Sequence, residues 1–177
     1  MAAPSEVLTT ARLTLRRLDL EDSPFVLEVL NDPEFVRHIG DRGVRTLADA
    51  RRYLLEGPLA SYARFGFGLW LVVRAVDRVP LGLCGLLRRP GLDAADLGFA
   101  YLPQYRGLGH AHEAAAAVLA HGHAVLGLRR IVAIVAPDNA RSIRVLRKLG
   151  MEYERMLSLA PGHPELQLYA STCPTAP

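Results

Sequence analysis

The stretch Gln104-Tyr105-Arg106-Gly107-Leu108-Gly109-His110-Ala111 decides how this chain is read. On its N-terminal side, residues 95–101 alternate as a strand does, with Leu97, Phe99 and Tyr101 on one face and Asp96, Gly98 and Ala100 on a sterically open one. On its C-terminal side, Ala111, Ala115, Val118, Leu119, Gly122 and Leu126 recur at helical spacing, which predicts a long helix over 107–126. Glycines between a strand and a helix let the backbone approach a ligand closely. The free N–H groups and dipole of the helix start favour an anion there, phosphate above all. Read alone, the stretch is equally a glycine-rich turn that merely opens a helix. A dinucleotide-binding fingerprint does not fit, because its third glycine falls on His112, and a Walker loop does not fit for want of a Gly-Lys-Ser/Thr ending.

Further along, Pro137-Asp138-Asn139-Ala140-Arg141-Ser142 is followed by Val145-Leu146-Arg147-Lys148-Leu149-Gly150-Met151. Asp138 or Asn139 suits the cap of a short helix reaching about Leu149, with Gly150 as its left-handed end, and 130–135 reads as the buried strand before it. Toward the N-terminus, 12–18 reads as a first strand. Ser23-Pro24 opens a helix with Phe25, Val29 and Leu30 inward, stopping near Asn31-Asp32-Pro33. Thr46 and Asp49 open a second helix to about Leu55 with Leu47, Ala50 and Leu54 inward, and a bend follows it. Residues 67–74 and 80–88 form a hairpin through Asp77-Arg78, 151–159 and 165–170 are the last strands, and the final residues are expected to be disordered.

The two motifs together carry a resemblance. The chain resembles the GNAT superfamily of N-acetyltransferases, whose Gln/Arg-x-x-Gly-x-Gly/Ala hallmark matches Gln104, Gly107 and Gly109. The Asn-x-x-Ser form at Asn139 and Ser142, the Leu-Gly-Met ending and the opening Thr10-Ala11-Arg12-Leu13-Thr14-Leu15-Arg16 resemble the RimJ/RimL-type branch that acetylates ribosomal-protein N-termini. The resemblance implies a single α/β (α+β) domain over 1–177, ordered over about 10–170. Its mixed, mostly antiparallel sheet would have six to seven strands, splayed between the fourth and fifth, with about four helices.

By the same resemblance the activity is acetyl transfer from acetyl-CoA to a primary amine, on a protein N-terminus or a small molecule, by direct attack in a ternary complex. Phe99 and Tyr101 would pair with the pantetheine amides through their backbones, and Arg106, Gly107, Leu108, Gly109, His110 and Ala111 would hold the pyrophosphate. Asn139 and Ser142 would face the thioester, and side chains of Arg106, Arg141 and Arg144 would reach phosphates. Many members protonate the leaving sulfur with a tyrosine, but Leu146 stands at that position here, so the role passes to Ser142. Asp96 is the candidate proton acceptor, with partnership to a nearby arginine as its structural alternative. Freeing a lysine amine at pH 7 costs about 4.6 kcal/mol and an α-amine about 1 kcal/mol, so an N-terminal acceptor needs little help from a base. The acceptor pocket is expected around Phe35–Arg45 and Phe67–Trp70.

Composition narrows the alternatives. Of 177 residues half are apolar, enough for one core, and no run is long enough to span a membrane. The formal charge of +3 suits an anionic ligand, but the arginines scatter instead of clustering as a nucleic-acid surface would. Two cysteines make no disulfide framework, and the histidines at 110, 112, 121 and 123 lack companions for a metal site, which leaves them as surface or phosphate-side groups. The expectation is a cytoplasmic, metal-free enzyme, with a homodimer left open. The competing reading is a catalytically inactive acyl-CoA-binding regulatory module.

Overall fold

A computed structural model of the chain describes residues 5–173. One mixed sheet of eight strands runs through it in the order β1-β2-β3-β4-β5-β6-β8-β7. The strands are β1 (Glu6–Thr9), β2 (Leu13–Arg17), β3 (Leu69–Arg74), β4 (Pro80–Leu87), β5 (Ala95–Tyr101), β6 (Arg130–Val135), β7 (Glu152–Leu157) and β8 (Leu166–Thr172). The strand beyond the expected six to seven is β1, a four-residue edge too short to show an alternation. It shifts the numbering of the splay to the fifth and sixth strands. The pair of segments is the one anticipated, and the final residues expected to be disordered lie outside those described beyond Cys173.

Five helical rods flank the sheet: α1 (Ser23–Leu30), α2 (Pro33–His38), a bent rod made of α3 (Leu47–Leu54) and α4 (Ala60–Phe65), α5 (His110–Ala124) and α6 (Ala140–Lys148). The bend expected after Leu55 is a π-turn over Leu55–Leu59, which accommodates Pro58 and its missing N–H without ending the helix. Asn31-Asp32-Pro33 ends α1 and also starts α2, since the Asp32 side chain accepts from the Phe35 N–H and Pro33 fills the first position. The start of α1 is fixed by Asp19 and Asp22 acting as a capping box for the preceding turn, with Ser23 already inside the helix. Val26, not Phe25, joins Val29 and Leu30 in its fully buried stripe, and Leu47 is half exposed at the entrance of α3.

Successive residues of β3 feed opposite faces of the sheet, as the two-residue strand period requires. Trp70 and Val72 pack with Leu13, Leu15, Ala114 and Val118 beneath α5. Leu71 and Val73 pack with Val26, Val29, Leu30 and Leu54 beneath α1 and α3. The central strands are thus buried on both faces, and β5 leaves that platform as one wall of the site.

Candidate active site

β5 and β6 are parallel but pair only at Ala95–Ile131 and Asp96–Val132 before they diverge. On its other edge β5 stays bonded to β4, where the Leu102 N–H donates to the Leu81 carbonyl. Backbone direction alternates along a strand, so the Phe99 and Tyr101 groups point away from β4 and into the gap. The gap widens into a cleft of about 330 Å³, within the range of small-ligand sites. Phe99, Ala100 and Tyr101 form one wall, and Asn139, Ser142 and Val145 at the start of α6 form the other. Gly107, Gly109, Ala111 and His112 close one end, and Glu34, Phe35, His38 and Ile39 of α2 line the side.

Gly107 and Gly109 have φ of 75° and 83°, a left-handed conformation that an ordinary residue adopts only under strain. A side chain at Gly107 would meet open space, so the turn there is kept bare by conformation and not by crowding. No side chain caps α5, and its first internal bond runs from the Glu113 N–H to the Gly109 carbonyl. The N–H groups ahead of it are therefore free for an anion at the helix start. The loop is held from behind: Arg12 Nη1 donates to the Leu108 carbonyl at 3.1 Å, and Arg12 Nε donates to Glu113 at 2.6 Å. Thr10 donates to the same carboxylate at 2.6 Å. Desolvation works against ionisation of Glu113, but the Thr10 and Arg12 bonds outweigh it and hold the carboxyl below its usual range. The acid in the first turn is thus charged and neutralised by Arg12, leaving the helix end electropositive.

Eight of the anticipated cofactor residues line this cleft: Phe99, Tyr101, Arg106, Gly107, Gly109, Ala111, Asn139 and Ser142. Leu108 faces solvent and His110 is buried with 6 % exposure, so those two have only backbone groups to offer. The burial of His110 departs from the surface or phosphate-side setting expected of it. The Arg106 side chain does not project toward a ligand either: it donates to the Tyr101 carbonyl at 2.8 Å and pairs with buried Asp32. It braces the loop against α2, while Arg141, Arg144 and Lys148 carry positive charge along the α6 wall.

Asn139 caps α6, its side chain accepting from the Ser142 N–H at 3.1 Å. That bond uses the backbone of Ser142 and leaves its hydroxyl on the cleft wall. Leu146 is 1 % exposed and belongs to the core under α5, so position 146 does not furnish a proton donor. Asp96 differs from expectation most. It is 1 % exposed, outside the cleft lining, paired with Arg89 and accepting from the Ile134 N–H at 3.3 Å. Ile134 is the residue of β6 facing the gap next after Val132, so the Asp96 carboxylate supplies the acceptor that the diverging strand withdraws. Burial raises its pKa despite the opposing charge of Arg89. The geometry is that of a stitch at the root of the splay, not of a base facing substrate.

Trp70 is buried in the core against His121, so the 67–70 half of the expected acceptor pocket lies elsewhere, whereas the 35–39 part lines the cleft. Sequence reading missed Glu34 and did not single out His38 within that span, although the Asp32-Pro33 start signal would have placed them one turn apart on α2. Among the described residues no group of acids, histidines or cysteines is gathered for a metal ion, and no helix is long and apolar enough to cross a membrane.

Residues 12–152 match the family model described as the acetyltransferase (GNAT) domain. The chain belongs to the GNAT acetyltransferase family. It is 30% identical over 147 residues to the uncharacterized N-acetyltransferase YnaD of Bacillus subtilis, covering 83% of each chain. An acetyltransferase from Agrobacterium tumefaciens superposes with a TM-score of 0.80 at 26% identity, over 98% of this chain and 97% of that one. The fold is shared with RimL, a ribosomal-protein α-N-acetyltransferase solved with coenzyme A, at a TM-score of 0.74 and 17% identity over 95% and 98% of the two chains. The activity that accompanies this membership is acetyl-CoA-dependent N-acetyl transfer. The bare, left-handed glycines, the uncapped helix start and the open β5 edge fit such a ligand.

Proposed function

We propose that this acetyltransferase acts on a protein N-terminal α-amine, with Ser142 serving the departing sulfur. The observation that carries the reading is the continuity of the cleft. It runs from the uncapped start of α5, past the β5 backbone edge at Phe99 and Tyr101 that faces away from β4, to Asn139 and Ser142, with α2 alongside as the acceptor wall. Backbone N–H groups over 107–111 would hold the pyrophosphate, and the β5 edge would pair with the pantetheine amides as another strand does. Bound acetyl-CoA supplies the thioester, whose acetyl group passes to the amine as the sulfur leaves.

The residues of the chain bind and orient for that step. The Ser142 hydroxyl, free of the capping bond, donates to the sulfur directly or through water. The cleft lining holds one carboxylate, Glu34, and two imidazoles, His38 and His112, groups whose ordinary basicity lies far closer to that of an α-amine than to that of a lysine amine. An α-amine asks roughly 3.6 kcal/mol less at pH 7, which favours it as acceptor. The RimL likeness in fold agrees with a polypeptide acceptor. Such an acceptor agrees with a cytoplasmic location.

The test is thiol release from acetyl-CoA against N-terminal peptides, lysine peptides, polyamines and aminoglycosides. Release with N-terminal peptides at the highest kcat/KM is the expected result. Turnover confined to lysine peptides or small amines would overturn the choice of acceptor.

A further inference from the structure

His38 stands on the α2 wall of the cleft with its side chain 9% exposed. Its Nδ1 is buried and has no hydrogen-bond partner. A buried polar atom left in that condition bears its desolvation cost with no bond to offset it, so the ring is poised for something other than the fold. Two carboxylates flank it: Glu34 Oε2 is 3.4 Å from Nε2, and Asp138 Oδ1 is 3.4 Å from Nδ1, near enough to attract but out of bonding alignment. Asp138 is steadied by Arg37 at 2.9 Å, a bond that holds its carboxyl below the usual range and keeps it ionised. Asp138 directly precedes Asn139, the cap of α6, so this network joins the α2 wall to the Ser142 side of the cleft.

Other charges face the same space. From α2 come Glu34 and Arg37, and from the loop before α6 comes Asp138. Across the cleft stand Arg141, Arg144 and Lys148 of α6, His112 of α5, and Tyr105 and Arg106 of the loop, the last neutralised by Asp32, while α1 contributes only apolar Val29. The two carboxylates stand 3.4 Å from the ring nitrogens, one on either side.

We infer that His38 takes the proton from the incoming ammonium, with Asp138 and Glu34 as positioning residues on either side of its ring. The inference rests on the proposed function. His38 accepts one proton from R–NH3+, and the freed lone pair forms the C–N bond to the acetyl carbon as the C–S bond breaks. The second proton on nitrogen passes through Ser142 or water to the sulfur, and His38 returns the first to solvent.

The experiment compares His38→Gln with wild type in kcat/KM from pH 6.5 to 9.5, using an N-terminal peptide and the thiol-release readout. An α-amine of pKa near 7.8 is only about 5% neutral at pH 6.5, so the variant should lose about 20-fold there and almost nothing at pH 9.5. Coenzyme A affinity and Tm should hold. Asp138→Asn should show the same pH-dependent pattern in weaker form. A loss equal at every pH, or none, would overturn the inference while leaving the proposed function intact. A second arm needs no turnover: the imidazole resonance missing from His38→Gln should move in coenzyme A-saturated wild type on adding the free-amine peptide, and not its Nα-acetylated form. An unmoved resonance refutes the role of His38, whereas failure to bind coenzyme A refutes the proposed function itself.

Discussion

Replacing Arg89 by alanine is the most direct probe of how the splay is held open. Arg89 is the countercharge of Asp96, whose side chain is only 2% exposed, and the same carboxylate accepts the Ile134 N–H across the diverging strands. Removing one partner of a buried pair costs about 3–5 kcal/mol because the other charge is left without water or partner. The low end, about 3 kcal/mol, applies here because Asp96 can escape by taking up a proton. In a chain of this size that lowers Tm by about 6–12 °C.

The pH dependence carries a sign. Burial already sets the folded pKa of Asp96 above its unfolded value, so its stabilising contribution is present at low pH and is lost as pH rises through the folded pKa. Without Arg89 that loss should extend to higher pH, and the variant should lie closest to wild type in acid. Urea unfolding at pH 5 and pH 8 measures both effects. The double variant with Asp96→Asn should regain part of the loss, because Asn retains an acceptor for Ile134 without a charge to strand. A cost below about 1 kcal/mol with no pH dependence would refute the buried pair. Asp96→Asn with native Tm and coenzyme A affinity, but with transfer abolished along a pH limb, would refute the stitch and restore Asp96 as a base.

Gly109→Trp should abolish coenzyme A binding measured by calorimetry, since the position needs a φ of 83° and a Cβ there meets Arg12 Nη2 at 3.2 Å; unchanged affinity would misplace the pyrophosphate. Ser142→Ala should lower kcat by about 100-fold, the lower end for a proton donor, without weakening coenzyme A binding. Asn139→Ala should instead cost about 1 kcal/mol of stability through the lost cap, and full activity of the serine variant would remove the proposed donor. The Glu113 carboxyl is held below its unfolded pKa, so its contribution is present above that value and lost as pH falls through the folded one. Glu113→Gln should flatten the acid limb of stability below about pH 5 and weaken coenzyme A binding by loosening Arg12 from the loop.

Local chemistry was legible in the sequence because it acts over a few neighbouring residues. The two glycines that open α5, the Asn139 cap, the Gly150 stop and the Thr46 capping box are each decided by backbone geometry within one turn, and all stand where the sequence puts them. The order of strands and the family followed from two such motifs in sequence. Asp32-Pro33 shows the limit of that local reading: the same residues close one helix and open the next, and only the next places Glu34 and His38 at the cleft.

Tertiary structure decided what no spacing encodes, namely which charged group meets which. Asp96 is seven residues from Arg89 and far in sequence from Ile134, and their meeting at the root of the splay turns a candidate base into a structural acceptor. Arg106 is drawn away from ligand by Asp32, 74 residues earlier, and His38 is brought to Asp138 across a separation of about one hundred residues. The sequence determined that this chain has a glycine-opened, uncapped helix start and an acetyltransferase fold. Only the packing of α2 against the loop before α6 determined which charged groups meet on that side of the cleft, because such meetings depend on neighbours in space.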